Sequence, residues 1–309
     1  MGGLEERCEG MSWRAFSVTV PASTANLGPG FDSIGLALDL HLLINVSPAS
    51  EWTVEYENAG YQHLSSGSDN LIVSTAQVVA DKFNRQLPAA KLYVVTDIPL
   101  GRGLGSSASA IAGGIEIADR LLGLELTIKE KVKIGSEMEG HPDNVSASFF
   151  GGLTISYDDG VDLDVIHVPE VKIGVVILVP SEEFLTTESR GLLPELLEHS
   201  VATRGSGAGN VLSAALSCGD WETAGRMMEK DTFHEPFRKN RFPDFEAIRH
   251  TCKVLGAYNC AISGAGPSLF IAVKKGNEEE ISIKLRDKFP HYECLVTKPS
   301  SVGIVSCEI

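Results

Sequence analysis

The stretch "PLGRGLGSSASAIAGG" (residues 99–114) sets Gly101, Gly103 and Gly105 at alternate positions, directly ahead of two serines and a run with helical spacing. A hairpin turn does not need three glycines with a helix behind them, whereas a backbone that must approach a ligand closely does. Beyond the loop, Ala108, Ile111, Ile115, Ala118 and Leu122 recur every three or four residues, the apolar stripe of an amphipathic helix. The glycines therefore lie at a helix N-terminus, where unpaired N–H groups and the positive end of the helix dipole favour an anion such as phosphate. Two familiar phosphate sites are excluded by spacing. No Gly-Lys-Ser or Gly-Lys-Thr occurs, so there is no Walker loop, and the third glycine of a G-x-G-x-x-G fingerprint would fall at Ser106. A strand-to-helix connection whose small residues serve packing is the plainer alternative.

Working outward, "KLYVVTDIP" is a strand feeding the loop, and "RAFSVTVPAST" alternates Phe16, Val18 and Val20 on one face of a strand that ends at Pro21. "IGLALDLHLLINVSP" supplies one or two further strands, and a helix starts from Asp69 as N-cap. Thr127 and Glu130 form a capping box opening a helix that ends near Gly140, and "HPDN" follows as a polar turn leading into small residues, a glycine pair and a strand. The second half reads as a strand (171–179), helical material (190–230), a helix (243–255), two strands about the glycine turn of "SGAGPS", a helix (277–288) and a strand (292–297). That order is β-α-β-β-α-β, the ferredoxin-like arrangement. A boundary in "DDGVDLDVIHVPE" gives two domains, 12–168 and 169–309.

Composition bounds the function. The 309 residues carry a formal net charge of −15, and no stretch supplies the basic face that nucleic acid requires. A small phosphorylated ligand remains compatible with an acidic protein. Six cysteines without a CxxC pair indicate neither a disulfide framework nor a zinc site. "MGGLEERCEGMSW" has no apolar run, Met11 could serve as an internal start, and the longest apolar run, "IGVVILV" (173–179), is too short to cross a bilayer, so a cytoplasmic protein without membrane contact is expected.

A Mg²⁺-nucleotide site needs an oxygen-rich ligand set. Hydroxyls at Ser106 and Ser107 can meet phosphate oxygens or the metal, and Glu137 and Glu139 stand at the end of the capped helix beside "HPDN". Each signal alone is weak. Together, "PASTANLGPGFDSIGLAL", "PLGRGLGSSASA", "EMEGHPDNV" and "SGAGPSLF", in that order, resemble the GHMP kinase superfamily, and its homoserine-phosphorylating members in particular. The resemblance spans residues 14–297. It implies a two-domain α+β fold with a ribosomal-S5-like N-terminal domain and a ferredoxin-like C-terminal domain, a possible homodimer, and phosphorylation of L-homoserine by ATP on the route to threonine.

By that resemblance the phosphate loop is Pro99, Leu100, Gly101, Arg102, Gly103, Leu104, Gly105, Ser106, Ser107, Ala108 and Ser109. Mg²⁺ falls to Ser107 and to Glu137, with Glu139 as the alternative. The acceptor contacts match Asn26, Asp32, Asn144, Thr186, Arg190 and Arg238. These types suit an amino-acid alcohol: two arginines can clamp a carboxylate and Asp32 can pair with an ammonium. Asn26 and Asn144 can bind the hydroxyl. Asn144 and Glu137 are the expected catalytic pair, and Asp143 mainly holds the turn. A carboxamide cannot take a proton, so in-line attack with the proton passing to a phosphate oxygen or solvent is the expected mechanism. Two alternatives stand: a kinase of another small alcohol, such as mevalonate or a sugar, and a catalytically silent ligand sensor of the same fold.

Overall fold

A computed structural model describes residues 13–64, 67–182, 186–242 and 244–309, and for Ser68, Thr186 and Thr187 the backbone alone. Met11 lies outside the described residues. Strand β1 (Phe16–Ala25) buries Phe16, Val18 and Val20 as their alternation requires. It does not stop at Pro21. The register on β2 (Ile34–Pro48) shifts between Pro21 and Ala22, a bulge that carries the strand past a residue with no N–H to donate. β2 is one continuous strand whose first residues pair with β5 (Leu153–Asp158) and whose last seven pair with β4 (Ala90–Thr96). The first sheet runs β11-β1-β2-β4-β3, where β3 is Thr53–Tyr56 and β11 is Val305–Glu308, with β5 and then β6 (Leu163–Val168) branching from β2.

Four helices complete the core on this sheet. The N-cap of α1 (Leu71–Lys82) is Asn70, whose side chain accepts from the Ile72 N–H at 3.0 Å, one residue beyond the expected Asp69. Helix α2 (Ser106–Leu122) starts from Gly105 in the left-handed conformation, and α3 (Ile128–Glu139) carries the Thr127–Glu130 capping box and ends at Gly140. "HPDN" is not a turn. It opens helix α4 (Asp143–Phe150), buried from Asp143 through Phe149. A helix buried nearly all round has no solvent face, and its polar residues Asp143, Asn144, Ser146 and Ser148 are buried with the rest, so hydropathy does not mark it as an amphipathic helix.

The second sheet, antiparallel throughout, runs β10-β7-β9-β8. Its strands are β7 (Gly174–Pro180), β8 (Asn259–Ile262), β9 (Leu269–Val273) and β10 (Tyr292–Thr297). Helices α5 (Thr186–Arg190), α6 (His199–Cys218), α7 (Trp221–Met228), α8 (Glu235–Arg238) and α9 (Phe245–Val254) connect β7 to β8, and α10 (Glu278–Lys288) connects β9 to β10. The β-α-β-β-α-β order thus forms, with several helices in its first crossover. After β10 the chain returns to the first sheet, where β11 pairs with β1. The five described cysteines are free, and among the described residues no helix is long and apolar enough to cross a membrane.

Candidate active site

The glycine loop is a cradle built by left-handed backbone. Gly101, Gly103 and Gly105 have φ of 63°, 71° and 69°. A Cβ on Gly103 would collide with the carbonyls of Ser263 and Gly266, and one on Gly105 with the Ser23 hydroxyl. No side chain caps the first turn of α2, so its N–H groups are left for an anion. The separate motifs meet here: the Ser263 hydroxyl donates to the Gly103 carbonyl at 2.6 Å, and the Gly264 N–H donates to the Ala25 carbonyl at 3.1 Å.

The loop opens on a cleft of about 300 Å³ lined by Gly101, Gly103, Gly105, Ser106, Ser107 and Ala108 together with residues of both halves of the chain. Pro99, Leu100 and Arg102 face a neighbouring cleft instead. Leu104 is buried in the core, and the buried Ser109 donates its hydroxyl to the carbonyls of Pro21 and Gly105, so both serve the loop from behind.

At the far end of the cleft Arg190 donates to Asp32 at 2.7 and 3.1 Å in a bidentate pair. The two groups expected to take opposite ends of an amino acid thus neutralise each other in the free site. Arg238 is different. It is 1% exposed and has no carboxylate partner among the described residues. Its Nη1 meets the Gly264 carbonyl at 3.2 Å and His234 Nδ1 at 3.3 Å, and its Nε has no partner. Burial and the nearby Arg190 charge lower its pKa to about 10, opposed in part by Asp32, Asp231 and Asp143, so the guanidinium stays charged at neutral pH without a carboxylate in direct contact. Asn26, at φ 72°, uses its amide on the protein: Nδ2 donates to the Gly264 carbonyl and Oδ1 accepts from the Asp32 N–H. These bonds tie the backbone at Asp32 to the Gly264 carbonyl through Asn26. The backbone of Thr186 opens α5, and its side chain lies outside the described residues.

Glu137 and Glu139 part company. Glu137 faces outward and pairs with Lys82 at 2.6 Å, away from the cleft, which corrects the first choice of metal carboxylate and catalytic residue. Glu139 lines the cleft, its side chain 11% exposed, and accepts from the Ser107 hydroxyl at 2.6 Å. Burial pushes its carboxyl up, only partly offset by Ser107 and His141. A buried carboxylate bonded to a hydroxyl, with His141 Nε2 4.0 Å from its other oxygen, has lone pairs left for a hard cation. Asn144 accepts from the Ser23 hydroxyl at 2.9 Å and donates from Nδ2 to Asp143 at 3.3 Å, leaving one N–H for a ligand.

Asp143 Oδ1 also accepts from the Asn144 N–H at 2.7 Å and from His141 Nδ1 at 2.5 Å. Burial would lower the His141 pKa, but Asp143, Asp32 and Glu139 outweigh it and raise it to about 9. His141, Phe31 and the Gly264–Ala265 backbone line the cleft as well. Residue type and spacing alone do not single out His141 or Phe31. His141 was visible inside "HPDN", whereas nothing local marks Phe31.

A glycine cradle at a helix N-terminus, closed by a ferredoxin-like half and facing a charged acceptor pocket, defines a small-molecule kinase of the GHMP class. Residues 70–152 match the GHMP kinases N terminal domain and residues 211–291 the GHMP kinases C terminal domain. The homoserine kinase of Bacillus velezensis is 43% identical over 291 residues, 94% of each chain. The chain belongs to the homoserine kinase family. The crystal structure of homoserine kinase from Cytophaga hutchinsonii superposes with a TM-score of 0.83 at 25% identity, covering 96% of this chain and 98% of that one. Mevalonate diphosphate decarboxylase from Staphylococcus aureus, at 16% identity and TM-score 0.73 over 96% and 98% of the two chains, shares the fold alone. The fold therefore does not select the reaction; the site must.

Proposed function

We propose that this kinase transfers the γ-phosphoryl group of ATP to the side-chain hydroxyl of L-homoserine, giving O-phospho-L-homoserine and ADP. The observation that carries the acceptor is the buried, carboxylate-free Arg238 beside the Asp32–Arg190 pair, in one cleft with the phosphate cradle. A zwitterion fits that arrangement, and an acceptor with only one of the two charges does not. Its ammonium takes Asp32, and its carboxylate takes Arg190 and Arg238, so binding exchanges one internal ion pair for three to the ligand. Mevalonate has no ammonium and would leave Asp32 uncompensated once Arg190 turned to its carboxylate.

The N–H groups of Gly105 to Ala108 would hold the phosphates, with the nucleoside directed toward the cleft that Pro99, Leu100 and Arg102 border. Ser107 and Glu139 would hold Mg²⁺, which neutralises phosphate charge in a loose transition state. The free N–H of Asn144 orients the acceptor hydroxyl. Asp143, with its Oδ1 shared among three donors, holds the first turn of α4 and His141 in place rather than taking a proton. Positioning and charge stabilisation suffice for this reaction class, and the hydroxyl proton leaves to a phosphate oxygen or solvent.

An ADP-release assay with Mg²⁺ against homoserine, serine, threonine, mevalonate and galactose tests the assignment. Turnover is expected with homoserine first; a folded protein that releases no ADP with it sinks the proposal. The division at 168/169, with residues 299–309 as an arm on the first domain, a cytoplasmic location and a homodimer are proposed with it. Sedimentation at micromolar concentration decides the last.

A further inference from the structure

We propose that His234 is a positioning residue that orients the Arg238 guanidinium without neutralising it, and so sets the preference for an acceptor that carries a carboxylate. The inference rests on the reading that Arg238 meets that carboxylate. His234 is the N-cap of α8 and Arg238 its last residue, four positions apart and therefore on one face. His234 is fully buried. Its Nε2 lies 3.0 Å from the Gly28 carbonyl, a group that only accepts, so Nε2 carries the proton. Its Nδ1 lies 3.3 Å from Arg238 Nη1, a group that only donates, so Nδ1 carries the lone pair. Both contacts are met at once by the neutral Nε2–H tautomer and by no other form, since an imidazolium would set N–H against N–H. Burial, opposed by Asp231 and reinforced by Arg238, keeps the imidazole below its usual pKa, in agreement with the geometry.

The surroundings hold the ring in one place. Phe31 stacks on it with centroids 5.2 Å apart and planes 24° apart. Arg238 and Arg190 in turn sit over Phe31 at 5.4 and 5.7 Å. Asp231 accepts from the N–H groups of Phe233 at 2.7 Å, His234 at 3.2 Å and Glu235 at 2.6 Å. Glu235 is itself clamped by Arg249 at 2.7 and 2.5 Å. Asp231 Oδ2 also lies 3.2 Å from His234 Nε2 and so helps keep the proton on that nitrogen, while the direct contacts of Arg238 are two uncharged acceptors, His234 Nδ1 and the Gly264 carbonyl. An acidic residue in the place of His234 would fix Arg238 as firmly but remove the charge that a ligand carboxylate needs. The Gly28 bond also ties this device to the first motif, so the arginine is referenced to the Asp32 side of the cleft.

The test compares L-homoserine with 3-aminopropan-1-ol, the same amino alcohol without the carboxylate. In His234→Phe, which keeps a ring on Phe31 but deletes both nitrogens, KM for homoserine should rise roughly tenfold while KM for ATP stays within about twofold. The preference in kcat/KM for homoserine over the decarboxylated alcohol should fall by about the same factor. His234→Asn, whose Oδ1 can replace Nδ1 as acceptor, should recover most of that preference. Equal losses on both alcohols in both variants would mean that His234 is merely structural and would overturn the proposal. Should the variants not fold, ¹⁵N NMR of the unaltered protein decides: a neutral Nε2–H ring is expected, its Nδ1 signal moving when homoserine is added, whereas an Nδ1–H tautomer or an imidazolium refutes the assignment. If the parent enzyme does not phosphorylate homoserine, the functional reading fails, and the NMR tautomer still judges His234 on its own.

Discussion

Glu137 and Glu139 sit two positions apart on α3, about 200° around the helix, so one cleft cannot take both. Glu137 makes an exposed ion pair with Lys82, a contact worth at most about 1 kcal/mol. Glu137→Gln is expected to leave kcat and both KM values within about twofold. Glu139→Gln should lower kcat by roughly a hundredfold, because the carboxylate that meets the cation is lost. Its stability should move the other way. The Glu139 carboxyl is raised by burial, so the native state binds that proton more tightly than the unfolded chain does. Stability is then greatest below the ordinary carboxylate range and declines as pH rises through the raised value. His141 adds a second decline, its contribution complete below its unfolded value and lost as pH rises through about 9. Thermal unfolding at pH 5 and pH 7 should therefore show Glu139→Gln gaining on the parent as pH rises. A gap that does not widen would mean that Glu139 is not held charged in a dry site.

At the scale of the element, the cradle demands more of its glycines than backbone freedom. Gly123, the C-cap of α2, has φ 59° and open space around its missing Cβ, so Gly123→Ala should cost only about 1 kcal/mol and leave kinetics alone. Gly105 has a similar φ but faces the Ser23 hydroxyl, with Asn144 Oδ1 3.2 Å from where a Cβ would lie. Gly105→Ala should cost roughly 2–3 kcal/mol in urea unfolding and raise KM for ATP severalfold, because the loop must shift off Ser23 and Asn144. Equal effects at the two positions would remove the argument that packing shapes the cradle. That loop was legible because alternate glycines and an amphipathic stripe are local signals, and so were the capping box and the order of the second sheet. Other elements left no local mark. Helix α4 is buried nearly all round and mixes polar with apolar residues, β1 passes Pro21 by a bulge that only its pairing with β2 reveals, and β11 is four residues with mostly exposed side chains. In the site, residue types were readable and partners were not. The Asp32–Arg190 pair closes over 158 residues, and Arg238 stands out only once burial shows that no carboxylate accompanies it.

Across the whole molecule the site depends on how the end of the chain returns to the first sheet. β10 leaves the second sheet at Thr297, and Lys298 to Ser300 then lie along β2: the Asp39 N–H donates to the Lys298 carbonyl and the Ser300 N–H to the Ala37 carbonyl. The Gly152 N–H donates to the Ser300 carbonyl at 2.6 Å, and Gly303 packs so closely on Phe149 and Gly151 that neither glycine has room for a Cβ. These contacts brace the C-terminal end of α4, the helix whose first turn carries Asp143 and Asn144. β11 is different, a short edge strand on β1 tied to α2 through Ser306, Glu116 and Arg120. Its pairing should contribute little, since a lone exposed strand gains mainly a few cross-strand contacts of under about 1 kcal/mol each. Two shortened chains separate the roles. Ending at Ile304 should lower stability by about 1–2 kcal/mol and leave KM for both substrates unchanged, with Ile304 still on the core. Ending at Lys298 should lower stability further and also reduce kcat, because α4 loses its brace and Asn144 its fixed place beside the cradle. Circular dichroism melts and steady-state kinetics on the two chains read this directly. If the longer truncation destabilises the protein but leaves kcat untouched, α4 is held by the first sheet alone and the returning segment is a clasp without influence on the site.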